Sequence, residues 1–417
     1  MHQVIFIVVI ALLVFGFLLD KFLDFLNLRT WEKTLPPDLK DFYSEETYLK
    51  ARQYYYDKEK LSSLSDFIGF IVTLTFLLSG GFAWLNSMLE PVFSNPVFLG
   101  LVYFAILYFA TDILSIPFSI YSTFVIEQKY GFNKTSPKTF ITDKLKSYLL
   151  TILIGGIVGF IVLELILILK DQFWIAVFLV ILGFTLFFNM FYTTLILPLF
   201  NKLKPMEEGE LRNAIEAYAK SVNFPLQDVY IIDGSKRSSK ANAYFTGLWK
   251  KKKVVLYDTL IEKHSTDELV AILAHEVGHF RKKHIIKNLI LSSLQTFIML
   301  FLMSRFIFEP ALSQAFGIES GAFILHINLI AFAMLYEPVS LLLGLLGNFI
   351  SRKHEYQADE FAVQTTRSSK LADALKNLST THLANLKPHP LYVFFYYSHP
   401  PTLQRLENIH KLCQKPL

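Results

Sequence analysis

The sequence predicts a multi-pass α-helical membrane protein of about seven spans, with a small α+β segment standing in water beside them. Three observations carry this. The 417 residues are 53% hydrophobic and include 40 phenylalanines, and mean hydropathy is +0.40, above the balance of a soluble globule of this length. Apolar runs of roughly 20 residues, enough to cross a bilayer, recur along the chain. Lysine and arginine concentrate in alternate connecting loops, the asymmetry that orients a multi-pass protein.

The first run, Gln3–Phe22, has no basic residue before it and no Ala-x-Ala end, so it reads as a retained anchor and not a secretory signal. The others are Phe67–Met88, Val97–Tyr121, Tyr148–Leu169, Phe173–Leu199, Ile285–Phe308 and Gly321–Ile350. Pro117, Pro198 and Pro338 are expected to kink or end the third, fifth and seventh. The loop after the first span holds Arg29, Lys33, Lys40, Lys50, Arg52, Lys58 and Lys60, and the loop after the third holds Lys129, Lys134, Lys138, Lys144 and Lys146. Leu89–Asn95 and Glu309–Ser320 hold no lysine or arginine, which places the N-terminus outside and the C-terminus in the cytoplasm. Asn133-Lys-Thr135 fits a glycosylation acceptor but falls on the inner side and is discounted.

Residues 1–200 therefore contain spans one to five, and 285–350 contain spans six and seven. Between them, 201–284 reads as α+β: a helix over Glu208–Val222, strands at Val229–Asp233, Ala241–Thr246 and Val254–Tyr257, and a hairpin turn at Gly247–Lys253. Residues 351–417 read as mostly helical. The net charge of +5 lies in loops beside apolar spans, with no basic stripe or aromatic stacking module, so nucleic acid is excluded as a partner. A lone cysteine, Cys413, has no partner for an internal disulfide.

Chemistry concentrates in Ala274-His-Glu-Val-Gly-His-Phe280. On a helix, residues at i and i+4 share a face, so His275 and His279 can reach one metal ion, and Glu276 is placed to take a proton from water. Ser265 and Glu268 form a capping box that starts this helix. Taken alone, the segment also fits an amphipathic helix with a solvated His-Glu pair. A catalytic zinc site needs a third protein ligand, and the best candidate is Glu355 in Ser351-Arg-Lys-His-Glu-Tyr-Gln-Ala-Asp-Glu360. Asp359, one turn on, can hold a ligand histidine in one tautomer, and Ala358 and Ala362 let another helix approach. The number of spans between His279 and Glu355 is even, so both return to one face of the membrane. His354 points about 100° away from Glu355 and reads as a neighbour of the site or a solvated residue. His264, His284, His382, His389 and His410 read as surface or interface residues. Asp112, Glu164, Asn189, Asn288, Gln295, Arg305, His326, Asn328 and Glu337 are polar residues within spans, expected to face a wet cavity, pair, or snorkel.

His275-Glu-Val-Gly-His279, Glu355-Tyr-Gln-Ala-Asp359 and Ser398-His-Pro-Pro-Thr-Leu-Gln-Arg405 together resemble the type I CAAX prenyl endopeptidases, integral-membrane metalloproteases of gluzincin type. The resemblance implies seven transmembrane helices around a water-filled chamber, with the peptidase segment on the cytoplasmic side. It implies one Zn2+ per chain on His275, His279 and Glu355, with Glu276 activating water and Asp359 in support or as proton donor. His399 and Arg405 are implied to steady the oxyanion; without the resemblance they read as a loop residue and a helix-face charge. Asn242-Ala243-Tyr244 is implied to be the edge strand that holds an extended peptide. The expected partners are a peptide or protein substrate, prenylated or not, and the lipid bilayer, for a monomer in a bacterial inner membrane, since the tail lacks a dilysine-type ending. Two other functions fit less of the chain. A heat-shock membrane protease of the HtpX type has fewer spans and no counterpart of the long loop Asn27–Ser63. A zinc-binding membrane transporter or receptor has no use for Glu276.

Overall fold

A computed structural model of the chain describes residues 1–246, 252–319, 321 and 323–414. Six helical runs among them are long and apolar enough to cross a membrane: His2–Leu28, Glu45–Leu78, Pro96–Glu127, Pro137–Phe200, His284–Phe306 and Leu325–Thr366. The fourth holds two of the expected spans. Its first arm, Pro137–Leu150 continued through a π-helical turn into Gly156–Leu169, ends where Lys170 takes a φ of 47°, and a single 3₁₀ turn, Lys170–Gln172, leads into Phe173–Leu195. The helices on either side of that turn pack on each other, so the spans number seven once the run is divided there.

Helix limits differ from the apolar limits where charge is involved. The second helix starts at Glu45, capped by Ser44 Oγ, which accepts from the Thr47 amide at 3.1 Å. Its first half carries Lys50 to Lys60 and stands clear of the apolar part. Among the prolines, Pro198 lies in the short helix Leu197–Phe200 that follows the fifth span, whereas Pro117 and Pro338 stay inside continuous helices.

The aqueous segment contains a four-stranded sheet, β1 (Leu203–Pro205), β2 (Leu226–Ile232), β3 (Ala243–Thr246) and β4 (Lys252–Tyr257), in the order β1-β2-β4-β3. β2 and β4 run parallel and the outer strands antiparallel, which leaves β3 at one edge. Of the expected turn after β3, residues 247–251 lie outside the described residues. Val229, Val254 and Leu256 of the sheet share a core with Leu273 and Val277 of the motif helix and with Ala362 and Leu371 further on.

A second core joins Trp31, Tyr43, Tyr48 and Tyr54 to Tyr130, Phe132 and Leu386. Both basic loops and the C-terminal segment therefore meet on one side of the span bundle. Arg237 Nε to Asp143 at 2.7 Å and Lys240 to Glu127 at 3.0 Å tie the sheet segment to the same loops. Asn133 is committed here as well, its Oδ1 accepting from the Thr135 amide at 2.7 Å.

Several polar residues within spans prove to be structural pairs. His326 Nε2 meets Asn86 Oδ1 at 2.8 Å, and Asn328 donates to the carbonyls of Ile307 at 2.7 Å and Glu309 at 3.0 Å. The Asn328 bonds close the hairpin between the sixth and seventh spans, and His326 ties the start of the seventh to the helix Gly81–Leu89 that precedes the third. Asp112 pairs with Lys144 at 2.6 Å, and Gln295 donates to the Leu343 carbonyl at 3.1 Å.

Candidate metal centre

Two helices build the site. The motif helix, Thr266–Arg281, begins at the Ser265–Glu268 capping box and buries Leu269, Ile272, Leu273 and Val277. The long helix, Leu325–Thr366, continues without a break from the seventh span to Glu355 and Asp359. The two cross closely because Gly278 faces Ala358: a Cβ at 278 would stand 2.9 Å from the Ala358 Cα and 3.0 Å from its carbonyl oxygen. Only hydrogen fits there, so Gly278 sets the approach that brings Glu355 to the histidines.

Three ligand atoms converge. His275 Nε2 and His279 Nε2 are 3.1 Å apart, His279 Nε2 is 3.3 Å from Glu355 Oε1, and His275 Nε2 is 3.5 Å from Glu355 Oε2. A tetrahedral ion with bonds of about 2.0–2.1 Å separates its ligand atoms by roughly 3.3 Å, so the residues fit a small tetrahedral cation. Glu355 Oε2 is buried and makes no hydrogen bond among the described residues, with Arg405 Nη1 3.3 Å away as its charge partner, so its lone pairs are open to a metal.

Each histidine is held from behind. Asp359 Oδ1 lies 2.8 Å from His275 Nδ1 and accepts its proton, which turns Nε2 toward the ion. Arg405 in turn grips Asp359 with two bonds, Nε to Oδ2 at 2.9 Å and Nη2 to Oδ1 at 2.6 Å, and its Nη1 lies 3.3 Å from Glu355. Burial opposes the charged form of His275, but Asp359 on its Nδ1 and the Glu355 carboxylate beside its Nε2 outweigh it and raise the ring to about 9. Loading a cation must therefore displace a proton.

His279 has a support that sequence reading missed. His284, expected at a surface or interface, is 1% exposed. Its Nε2 bonds Gln357 Oε1 at 2.9 Å and its Nδ1 lies 3.0 Å from His279 Nδ1. The Gln357 carbonyl accepts from Nε2–H, so His284 Nδ1 accepts from His279 Nδ1–H and leaves His279 Nε2 free to ligate. The motif helix ends at Arg281 and Lys283 takes a φ of 58°, so helical spacing could not place His284. His354 stacks on it, with ring centroids 3.9 Å apart. Replacing His284 with Leu is expected to weaken metal binding by about 10- to 100-fold, measured by competition with a chromophoric chelator; unchanged affinity would remove it from the site.

Glu276 has no hydrogen-bond partner among the described residues, and burial raises its carboxyl above the usual carboxylate range. His399 Nε2 stands 3.4 Å from Glu355 Oε1 with its ring 62% exposed, and Ser398 Oγ bonds its Nδ1 at 2.9 Å. Arg405, by contrast, is buried. Asn242, Ala243 and Tyr244 lie at the start of edge strand β3, which touches the motif helix. His382, expected at a surface or interface, lies at an interface and accepts the Ala241 amide on Nε2 at 3.0 Å.

The chain resembles known proteins over nearly its whole length. The profile described as CAAX prenyl protease N-terminal, five membrane helices, matches residues 24–202, and that of peptidase family M48 matches 205–413. CAAX prenyl protease 1 of Saccharomyces cerevisiae is 34% identical, covering 97% of this chain and 96% of its own. The human CAAX prenyl protease 1 homolog is 32% identical over 95% and 94%. The crystal structure of S. mikatae Ste24p superposes with a TM-score of 0.92 at 33% identity, over 97% of this chain and 99% of that one.

Proposed function

Since the chain belongs to peptidase family M48, among the type I CAAX prenyl endopeptidases, and is an integral-membrane metalloendopeptidase, we propose that it uses zinc to cleave C-terminal CAAX peptides carrying a prenyl group. The single observation behind zinc is the spacing of the His275, His279 and Glu355 ligand atoms, which suits a tetrahedral ion bound by nitrogen and oxygen. The substrate class rests on what its relatives are named for.

When bound, zinc supplies Lewis acidity that polarises a carbonyl and makes water a better nucleophile. Glu276 takes a proton from the attacking water and passes it to the leaving amine; its raised affinity for protons suits both halves of that task. His399 faces the site with an exposed ring and, with Nδ1 occupied by Ser398, offers Nε2–H to the developing oxyanion. Arg405 has Nε and Nη2 on Asp359 and its Nη1 paired with Glu355 at 3.3 Å, so we read it as a positioning residue that holds Asp359 against His275. The free edge of β3 at Asn242, Ala243 and Tyr244 takes the substrate backbone as an added strand.

The site and both basic loops share one side, which the positive-inside bias makes cytoplasmic, with the N-terminus opposite. We read the working unit as a monomer, since His275, His279 and Glu355 of one chain suffice to form the candidate ligand set. The relatives named above are eukaryotic, pointing to the endoplasmic reticulum and away from the bacterial inner membrane expected from the tail. A match to the CAAX protease membrane domain over 24–202 favours this reading over the heat-shock and transporter ones.

Purified full-length protein is expected to cleave a farnesylated CAAX peptide and leave casein intact. A zinc chelator should stop the reaction and added zinc restore it. Cleavage of both substrates would favour quality control, and cleavage of neither would overturn the proposal.

A further inference from the structure

A cavity of about 630 Å³ leads away from the metal centre. Its wall includes His399 and Arg405, which touch Glu355, and a second group of Tyr54, Lys58 and Lys240. The volume lies within the usual range of small-molecule ligand sites. Most of the charge on this wall is already matched. Arg405 is held by Asp359, and Lys240 by Glu127 at 3.0 Å and the Tyr54 hydroxyl at 2.8 Å. Glu59, the acid on the wall, accepts from Ser63 Oγ at 3.1 Å, one turn further along its own helix. Lys58 is different. Its ammonium lies 5.4 Å from the Tyr54 ring centroid and has no carboxylate within ion-pair distance among the described residues.

The cavity is also joined to the substrate strand. Lys240 precedes Asn242 by two residues, and His382, on the cavity wall, accepts from the Ala241 amide at 3.0 Å. A peptide added antiparallel to β3 runs opposite to it, so residues after the scissile bond extend toward the strand's N-terminal start, where Lys240 and the cavity are. An extended chain advances about 3.3 Å per residue. The end of a three-residue leaving peptide thus lies roughly 10 Å beyond the reacting carbonyl.

We infer that Lys58 binds the free α-carboxylate at the C-terminus of the substrate, so that the protein reads the chain end itself while the cavity holds the departing residues. This rests on the proposed cleavage of C-terminal peptides and adds a recognition element to it. A charge-assisted hydrogen bond to a carboxylate is among the stronger polar contacts, and an ammonium that forms no ion pair among the described residues suits one carboxylate.

The test changes the substrate before the enzyme. Zinc-loaded full-length protein is given a farnesylated CAAX peptide as the free acid and as the C-terminal amide. Wild type is expected to prefer the acid by about 10- to 100-fold in kcat/KM. In Lys58→Gln that ratio falls toward one, and in Lys58→Arg it stays high. Equal rates on acid and amide in wild type would overturn the inference while leaving the peptidase reading intact; no cleavage of either would overturn the peptidase reading. A preference that survives in Lys58→Gln would place carboxylate recognition elsewhere. Loss of activity on both peptides in Lys58→Gln would make Lys58 structural and equally overturn the inference.

Discussion

Glu276→Gln is expected to lower kcat by about 10²- to 10⁴-fold, the range supplied by a positioned general base, while the fold and the bound metal stay as they are. The two halves of this expectation have separate grounds. Glutamine matches glutamate in shape, and the Glu276 carboxylate makes no hydrogen bond among the described residues, so the exchange orphans no partner. The proposed metal ligands are His275, His279 and Glu355, whose spacing does not depend on the side chain at 276. The amide, however, has no basic oxygen with which to accept a proton from water. Single-turnover rates, with metal content by atomic absorption and a melting curve, check all parts together. A variant with full metal and near wild-type kcat would assign the base elsewhere; a variant that lost its metal would show that Glu276 serves the site's architecture.

What the sequence disclosed here follows from where the determining forces act. Span number is a local property of hydropathy, and the His275/His279 pair a local property of helical spacing, so both are legible. Glu355 is legible for a different reason: an even number of crossings forces it back to the face of the motif helix, whatever the packing. The small residue at Ala358 signals a close crossing, although its partner, Gly278, lies inside the motif and shows its purpose only when the helices meet. His284 is illegible because the chain leaves the helical path at Lys283, and beyond a break in periodicity a side chain's direction is set by tertiary contact. The early start of the second helix at Glu45 is hidden because hydropathy reports the membrane's limits and not the helix's. Lys58 reads in sequence as one more basic loop residue; its place on a cavity wall depends on three distant segments meeting.

Arg405→Met is expected to destabilise the protein by about 3–5 kcal/mol, the cost of removing one partner from a buried ion pair, and to weaken metal binding as well. Asp359 is fully buried, and Arg405 supplies two of its hydrogen bonds from the C-terminal helix Thr402–Gln414. Methionine fills much of the volume but leaves a carboxylate in a dry interior facing His275 alone. That carboxylate then either takes a proton, which spoils it as the acceptor that orients His275, or draws in water and loosens the junction of the two helices. Both routes lead from the C-terminal helix to the metal. The double variant Asp359→Asn/Arg405→Met separates charge from packing: its loss of stability should be smaller than the sum of the single losses, because Arg405→Met strands the Asp359 carboxylate and Asp359→Asn leaves Arg405 with Glu355 alone, whereas the double variant carries neither charge. Asparagine also retains an oxygen to accept from His275 Nδ1, so the double variant should bind metal more tightly than Arg405→Met alone. Unfolding free energies and chelator competition across the four proteins measure this coupling. Strictly additive losses would mean that Asp359 and Arg405 contribute independently, and that the metal site does not depend on the C-terminal helix for its geometry.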